Sequence, residues 1–391
     1  MLLQNIPERP IGQIRAFLLK LAHSITLLKF GKNARDLLIN EDDNEVTKKW
    51  INGKLVLFQV NPVINAVVDQ MFDSALAEAA DVDSALTSHL ESVSISKRPL
   101  LGVPLTVKEA FGVRGMSHTC GITRRAGTRF VLHLFLTSDF RGNFGETVFR
   151  AKDDAEAVRI LREAGAIPLV VSNVPECCLW METFNNVHGR TNNPYDTRRT
   201  SGGSSGGEGA LVGAGASVIG LASDTAGQTR VIQLLTREKY VGKVKQKLVI
   251  TEGSIRIPAS FNGVFGHKPT PGIISNVGQL PKVSKTIDQK FLTTGPMCRY
   301  AEDLTLMMRL LVKPDLEAAL ALDTEVSVKD LKVYYMADNG GGVMETAVSK
   351  DVVQAQSKLV RMIGDSGLKV KQVAIEELKQ SGKLKASATT L

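Results

Sequence analysis

Apolar positions Ile11, Ile14, Leu18, Leu21, Ile25 and Leu28 recur at spacings of 3, 4, 3, 4 and 3, which places them on one helical face. Arg15, Lys20 and Lys29 interrupt the run, so it is too charged to span a bilayer. Two readings stand for residues 11–29: a helix docked on its own domain, or a basic amphipathic helix lying on a membrane surface. Residues 40–50 are polar and read as a loop or a short exposed helix. From Asn61 the run NPVINAVVDQMFDSALAEAADVD gathers its Ala, Val and Phe positions on one side, predicting a helix over 61–83.

LLGVPLTVK at 100–108 is short, apolar and β-branched, a buried strand with Lys108 at its end. DDAEAVRILREAG at 153–165 has an acidic first turn and a glycine stop, the marks of a helix, and AIPLVVSN after it reads as a strand. GEGALVGAGASVIGL at 207–221 is small and apolar, the composition of a helix and a strand packed tightly at the centre of a sheet. Towards the C-terminus YAEDLTLMMRLL is helical, LKVYYMA a strand, SKDVVQAQSKLVRMIGDSG a helix and GLKVKQVAI a further strand. Helix and strand in alternation point to an α/β architecture with a mainly parallel sheet. The final KQSGKLKASATTL is polar and predicted to fray.

Two segments break this rhythm. Residues 128–150 are rich in Phe, and residues 228–252 are rich in Lys and Arg without a proline. Neither resembles a turn, and both read as insertions.

Composition narrows the class. A chain of 391 residues with 43% hydrophobic and 23% charged content can bury a large core as one domain or as two or three smaller ones. The four cysteines, Cys120, Cys177, Cys178 and Cys298, lack C-x-x-C spacing, which argues against a disulfide scaffold or zinc ribbon and suits a reducing compartment. Residues 1–10 are polar and carry Glu8, and no cleavage site follows an apolar run, so no secretory signal is read there and an intracellular location is expected. The net charge of +8 is spread along the chain. No RNA-recognition, zinc-finger or basic-zipper pattern accompanies it, so no nucleic-acid partner is expected.

The densest chemical signal is Ser201-Gly202-Gly203-Ser204-Ser205-Gly206-Gly207. Four glycines around hydroxyls mark backbone in conformations closed to other residues, or backbone approaching something closely. A flexible linker is the plain alternative, yet linkers are seldom followed at once by a compact apolar segment. A phosphate loop needs a G-x-x-x-x-G-K-[ST] run, which is absent. Gly202–Gly206 does match G-x-S-x-G, but that elbow needs a strand leading into the serine, and NNPYDTRRTSGG cannot be one.

The runs GVPLTVKEAFGVRGMSHTCGI, SNVPECC, NNVHGRTNNPYDTRRTSGGSSGGEGAL, SDTAG and SIRIPASFNGVFGHKPTPGIISNVG together resemble the amidase signature family. Glu208 in SSGGEGAL makes the fatty-acid amide hydrolase branch, type 2-like, the best match. The resemblance covers roughly residues 60–340 outside the two odd segments. It implies a mixed, mostly parallel twisted sheet between helices, incomplete at the C-terminus because family members continue past Leu391. It also implies an N-terminal helical extension over 1–55, and a catalytic domain over 56–391 with insertions at 128–150 and 228–253.

The implied reaction is hydrolysis of carboxylic amides, fatty-acid amides above all, through an acyl-enzyme and a Ser-Ser-Lys triad. The residues that match are Lys108 as base, Ser204 as bridging serine with a cis bond before it, and Ser254 as nucleophile. A serine hydroxyl attacks well only when a neighbour takes its proton, and burial disfavours the charged form of a lysine that is to serve as base. Backbone N–H groups of Thr225, Ala226 and Gly227, with Ser254 itself, are the implied oxyanion hole. Cys178 falls in a segment that lines the substrate site, as a small buried hydrophobe or as a reactive thiol. A small-molecule amide is the implied partner, with a membrane surface as a second through residues 11–29. No metal or organic cofactor is implied. His118, His188 and His267 read as ordinary polar contacts, and Asp224 with Arg256 as a structural ion pair.

The chain departs from the family where its chemistry is densest. Asp224–Gly227 satisfies the first half of the signature and Ser254–Ala259 the second, but 26 residues, Gln228 to Gly253, lie between them. The insertions at 128–150 and 228–253 read as translated introns or gene-model errors. The alternative expectation is a catalytically inactive amidase-like chain, or the product of an imperfect gene model, with its oxyanion loop split.

Overall fold

Asn65 breaks the helical turn at 59–64 with a left-handed φ of 49°, and the Asn61 side chain holds the chain as it leaves. Its Oδ1 accepts the backbone N–H of Ala66 at 2.8 Å and of Val67 at 2.9 Å. The computed structural model describes residues 57, 59–87, 98–126, 148–225, 253–282, 292–322, 324, 327, 331–337 and 348–375. The amphipathic stretch at 11–29, most of 128–150 and almost all of 228–253 lie outside them.

Strand β1, Val67–Gln70, is a correction to the single helix expected over 61–83. The helical spacing there is real, but the β-branched pair Val67-Val68 follows a helix-breaking Asn65 and finds a partner strand, so pairing overrides periodicity. Helix α1, Phe72–Thr87, starts after it, with Gln70 Oε1 accepting the Phe72 N–H at 2.8 Å.

Strand β2, Pro104–Lys108, helix α2, Glu156–Glu163, and strand β3, Ile167–Ser172, follow the predicted order. Two short strands, β4 Phe184–Asn185 and β5 Gly189–Arg190, form a separate hairpin. Helix α3, Gly206–Gly213, and strand β6, Ile219–Thr225, occupy the small apolar run. Helix α4, Arg256–Asn262, strand β7, Phe265–Gly266, strand β8, Leu292–Cys298, and helix α5, Ala301–Leu311, follow, and a short helical stretch over 314–320 comes after them.

The six-stranded sheet runs β1-β3-β2-β6-β8-β7. Parallel pairing is confined to its centre, β3-β2-β6, while β1 at one side and β8 and β7 at the other run antiparallel to their neighbours. The sheet is therefore mixed. Strand β3 is buried along its whole length, as expected of a strand covered on both faces. Leu57, Val60, Ile64, Phe72, Ala75 and Ala79 pack with Ile167, Leu169, Val170 and Leu211 in one core cluster. Val212, Ala222, Ile255, Ala259 and Met297 form another, tying α3 and α4 to β6 and β8.

The chain divides into two compact units, Met1–Leu320 and Ala321–Leu391. In the second, strand β9, Lys332–Tyr335, helix α6, Lys350–Asp365, and strand β10, Lys369–Gln372, form a β-α-β unit whose strands pair in parallel from Lys332 opposite Lys369. Among the described residues no helix is long and apolar enough to cross a membrane.

Replacing Asn61→Ala leaves two part-buried N–H groups without their acceptor. The expected loss is about 1–3 kcal/mol, read as a lower urea midpoint with unchanged slope.

Candidate active site

Strands β2, β3 and β6 are parallel, so their carboxyl ends share one edge of the sheet, the usual place for a site in an α/β fold. Lys108 closes β2 there, in register with Ser172 of β3. Its side chain is fully buried. The Nζ donates to Ser204 Oγ at 2.7 Å and to the Ser223 carbonyl on β6 at 3.2 Å. A buried amine needs such acceptors, since a polar group out of water without partners costs several kcal/mol. Lys108 and Ser204, 96 residues apart in sequence, are thus brought into direct contact.

Ser204 sits in the turn before α3, after a cis Gly203–Ser204 peptide. The glycines around it answer to crowding. A Cβ on Gly207 would lie 2.5 Å from the backbone N and O of Asn173, the residue after β3, so only glycine lets the start of α3 settle on the sheet edge. Gly202, at φ 76°, supplies a left-handed bend beside Ile257 and Phe261. Ser205 is buried beside Ser204; its Oγ donates to the Ser223 carbonyl at 3.2 Å and its N–H to the Ser254 carbonyl at 3.2 Å.

Ser254 is buried just ahead of α4 and is held on both sides through Asp224. The Asp224 carboxylate accepts the N–H of Gly253 at 3.2 Å and of Ile255 at 3.1 Å, and pairs with the Arg256 guanidinium at 3.1 Å. Burial alone would raise this carboxyl, but the guanidinium and the two amides outweigh it and hold it below the usual range. The ion pair expected between Asp224 and Arg256 is present, and it joins the two halves of the signature across the 26-residue interruption. Thr225 ends β6 beside Asp224, whereas Ala226 and Gly227 fall outside the described residues.

Cys178 lies in a 3-10 turn, Glu176–Cys178, and is 4% exposed. Its Sγ is 3.7 Å from that of Cys120. The contact with Cys120, and after it Lys108 and Ser204, outweigh burial and pull the Cys178 thiol below its usual range. The same contact, and burial, push Cys120 well up. Burial pushes Cys177 up to about 12. His118, by contrast, makes an ordinary contact, Nε2 to the Ala110 carbonyl at 3.0 Å. Sequence reading passed over Cys120 and the Ser223 carbonyl. Their partners are distant in sequence, and a carbonyl leaves no mark in a residue pattern.

Glu208, on α3, is fully buried, and its Oε2 accepts Thr106 Oγ1 at 2.6 Å. Among the described residues neither its Oε1 nor Ser172 Oγ makes a well-formed hydrogen bond, although the two groups lie close enough to interact. A proton on Oε1 would satisfy both at once. Burial raises the carboxyl to about 7, against the opposing pull of Thr106, Ser172 and Lys108. Between the usual 4.5 and about 7 the fold keeps a proton that the unfolded chain has lost, so stability falls as pH rises through that window and the penalty is complete above it. At 1.36 kcal/mol per unit this is about 3 kcal/mol. Glu208→Gln, whose amide can donate to Ser172, is expected to flatten this part of the pH–stability curve and to raise stability at pH 8, measured by urea titration from pH 4 to 8.

The family model for Amidase matches residues 57–130, 145–231 and 251–389, leaving 131–144 and 232–250 unmatched between its parts. Fatty-acid amide hydrolase 2-A of Danio rerio is 42% identical over 340 residues, 86% of this chain and 54% of that protein. Fatty-acid amide hydrolase 2 of Homo sapiens is 39% identical over 343 residues, 87% of this chain and 55% of that protein. The chain spans about half the length of the curated relatives it matches. A solved structure described as "Fatty acid amide hydrolase" superposes with a TM-score of 0.63 at 22% identity, covering 94% of this chain and 58% of that one, which speaks for the fold alone. With the family model matched over most of its length and relatives this similar, the chain belongs to the amidase family.

Proposed function

We propose that this chain is a serine amidase acting on fatty-acid amides, with Lys108, Ser204 and Ser254 as its triad. The observation that carries the reading is the buried 2.7 Å contact of Lys108 Nζ with Ser204 Oγ at the carboxyl edge of the parallel strands. The acyl-amide substrate class rests on the names of the two relatives.

In this mechanism Ser254 Oγ attacks the amide carbonyl while its proton passes to Ser204 and from Ser204 to Lys108 in its neutral form. Two serines are needed because the lysine's partner is Ser204; the bridging hydroxyl gives and receives one proton in the same step. Charge then develops on the former carbonyl oxygen. N–H groups of Thr225, Ala226, Gly227 and Ser254 would stabilise it, each donor contributing about 3–4 kcal/mol. The relay returns the proton to the departing amine, and water hydrolyses the ester by the reverse path. The hydrogen bonds that the Gly253 and Ile255 N–H groups donate to Asp224 support the reading, since they fix the backbone on either side of the nucleophile. Cys178 would line the substrate site.

Within this proposal residues 56–391 are the catalytic domain, interrupted at 128–150 and 228–253. Residues 1–55 are an extension whose amphipathic run at 11–29 either docks on its own domain or meets a membrane surface; loss of liposome flotation on deleting 11–29 is the result the second expects, and unchanged flotation removes it. A second reading keeps the fold without activity. It is favoured by the stretch 232–250 that the family pattern leaves unmatched between Asp224 and Ser254, where the oxyanion donors must form.

A fluorophosphonate probe separates the two, with adducts located by peptide mapping. One adduct on Ser254 is expected, absent in Ser254→Ala and slowed about 10²-fold or more in Lys108→Ala, together with release of fatty acid from a long-chain primary amide. Labelling only after excision of residues 228–253 would favour the inactive reading for the chain as it stands. No adduct in either form would overturn the triad.

A further inference from the structure

The triad leaves one pair of nucleophilic groups unused at the same edge of the sheet. Cys120 and Cys178 are 58 residues apart in sequence, yet their sulfurs lie 3.7 Å apart in the interior. Cys120, Cys177 and Cys178 all adopt left-handed backbone, with φ of 54°, 54° and 59°. A non-glycine residue rarely occupies that region, and such strain persists only where the surroundings enforce it, most often at functional sites. The segments carrying these cysteines are also joined through the backbone, the Cys177 N–H donating to the Cys120 carbonyl at 2.9 Å. Two thiols held this way are one bond from a disulfide.

We propose that Cys120 and Cys178 are an oxidisable dithiol beside the Lys108–Ser204 contact, in which Cys178 takes up a hydroperoxide and Cys120 closes the disulfide. The asymmetry between the two sulfurs sets the roles. Cys178 has residual exposure where Cys120 has none, and the contact with Cys120 is the largest of the influences that favour its thiolate, one that does not depend on the charge of Lys108. Thiolate character and access are what select an oxidation site.

In the first step the Cys178 thiol gives up its proton and its sulfur attacks hydrogen peroxide; the O–O bond breaks, one oxygen stays on sulfur as sulfenic acid, and the other leaves as hydroxide, which that proton converts to water. In the second, the Cys120 sulfur attacks that sulfur and the oxygen departs with a proton as water. Two thiols lose two electrons and two protons, and the peroxide is reduced to two waters. Cys177 is a bystander, because burial keeps it in the thiol form.

Closing the bond shortens the sulfur–sulfur separation from 3.7 Å to about 2 Å, so the two sulfurs must move together and the surroundings of Cys178, Ser204 among them, must adjust. The disulfide would therefore draw on the wall of the proposed active site. Its formation does not depend on Ser254 being a nucleophile, and the two ideas fail separately.

The test exposes the folded full chain to hydrogen peroxide, alkylates remaining thiols after unfolding, and maps peptides by mass. The expected product is a Cys120–Cys178 cross-linked peptide lighter by two hydrogens, reversed by dithiothreitol, with Cys177 and Cys298 still alkylated. In Cys120→Ser and Cys120→Ala the expected product is Cys178 carrying one or two oxygen atoms and no cross-link. Both cysteines remaining alkylatable at doses that oxidise a free cysteine peptide would overturn the proposal. So would a cross-link through Cys177 instead. On oxidised protein, fluorophosphonate labelling is expected to slow about 100-fold; unchanged labelling alongside a mapped disulfide would overturn the link to the site.

Discussion

Burying the amine of Lys108 constrains the rest of the site. A group of that kind can leave water only if acceptors are already in place, and here they come from two directions, the Ser204 hydroxyl ahead of α3 and the Ser223 carbonyl on β6. The strand that carries Lys108, the turn that carries Ser204 and the neighbouring strand must therefore be assembled together. The glycines at the start of α3 serve this requirement. They let the helix approach the end of β3 closely enough for Ser204 to reach the lysine. Ser205 then spends its own donors on Ser223 and Ser254, so the Ser254 backbone is positioned by the same turn.

Asp224 performs a complementary task at the other end of the site. Its carboxylate draws residues 253–256 to the end of β6, giving the two halves of the signature one shared anchor despite the 26 residues between them. Ile255 and Arg256 follow the interruption and Gly253 is its last residue, so the geometry around Ser254 is set by local bonds to β6. The intervening sequence need not supply it.

Much of this was legible in the residue pattern, for identifiable reasons. Strands β2 and β3 and helix α2 are marked by apolar runs and an acidic helix start, and Lys108, Ser204 and Ser254 stand inside long ordered motifs. Strand β1 was hidden because Val67–Gln70 also fits helical spacing, and only a pairing with β3 reveals it. Strand β8 was hidden for a different reason. Gly295 and Pro296 lie within it, and proline in the interior of a sheet runs against the usual preference. The contact of Cys120 with Cys178 was beyond sequence reasoning, since neither spacing nor composition relates two residues joined only by tertiary packing.

The pocket around Glu208 has a consequence for how the sequence can vary. The glycine at position 220 of β6 leaves the space that the Glu208 carboxylate fills, and a methyl group there would collide with it. Position 220 cannot gain a side chain while a residue as long as glutamate stands at 208. A side chain at 220 is tolerable only on a background where 208 has already become shorter, and a shorter 208 leaves a void that glycine cannot fill. The two positions are thus coupled by shape, and the cost of a side chain at 220 depends on what stands at 208.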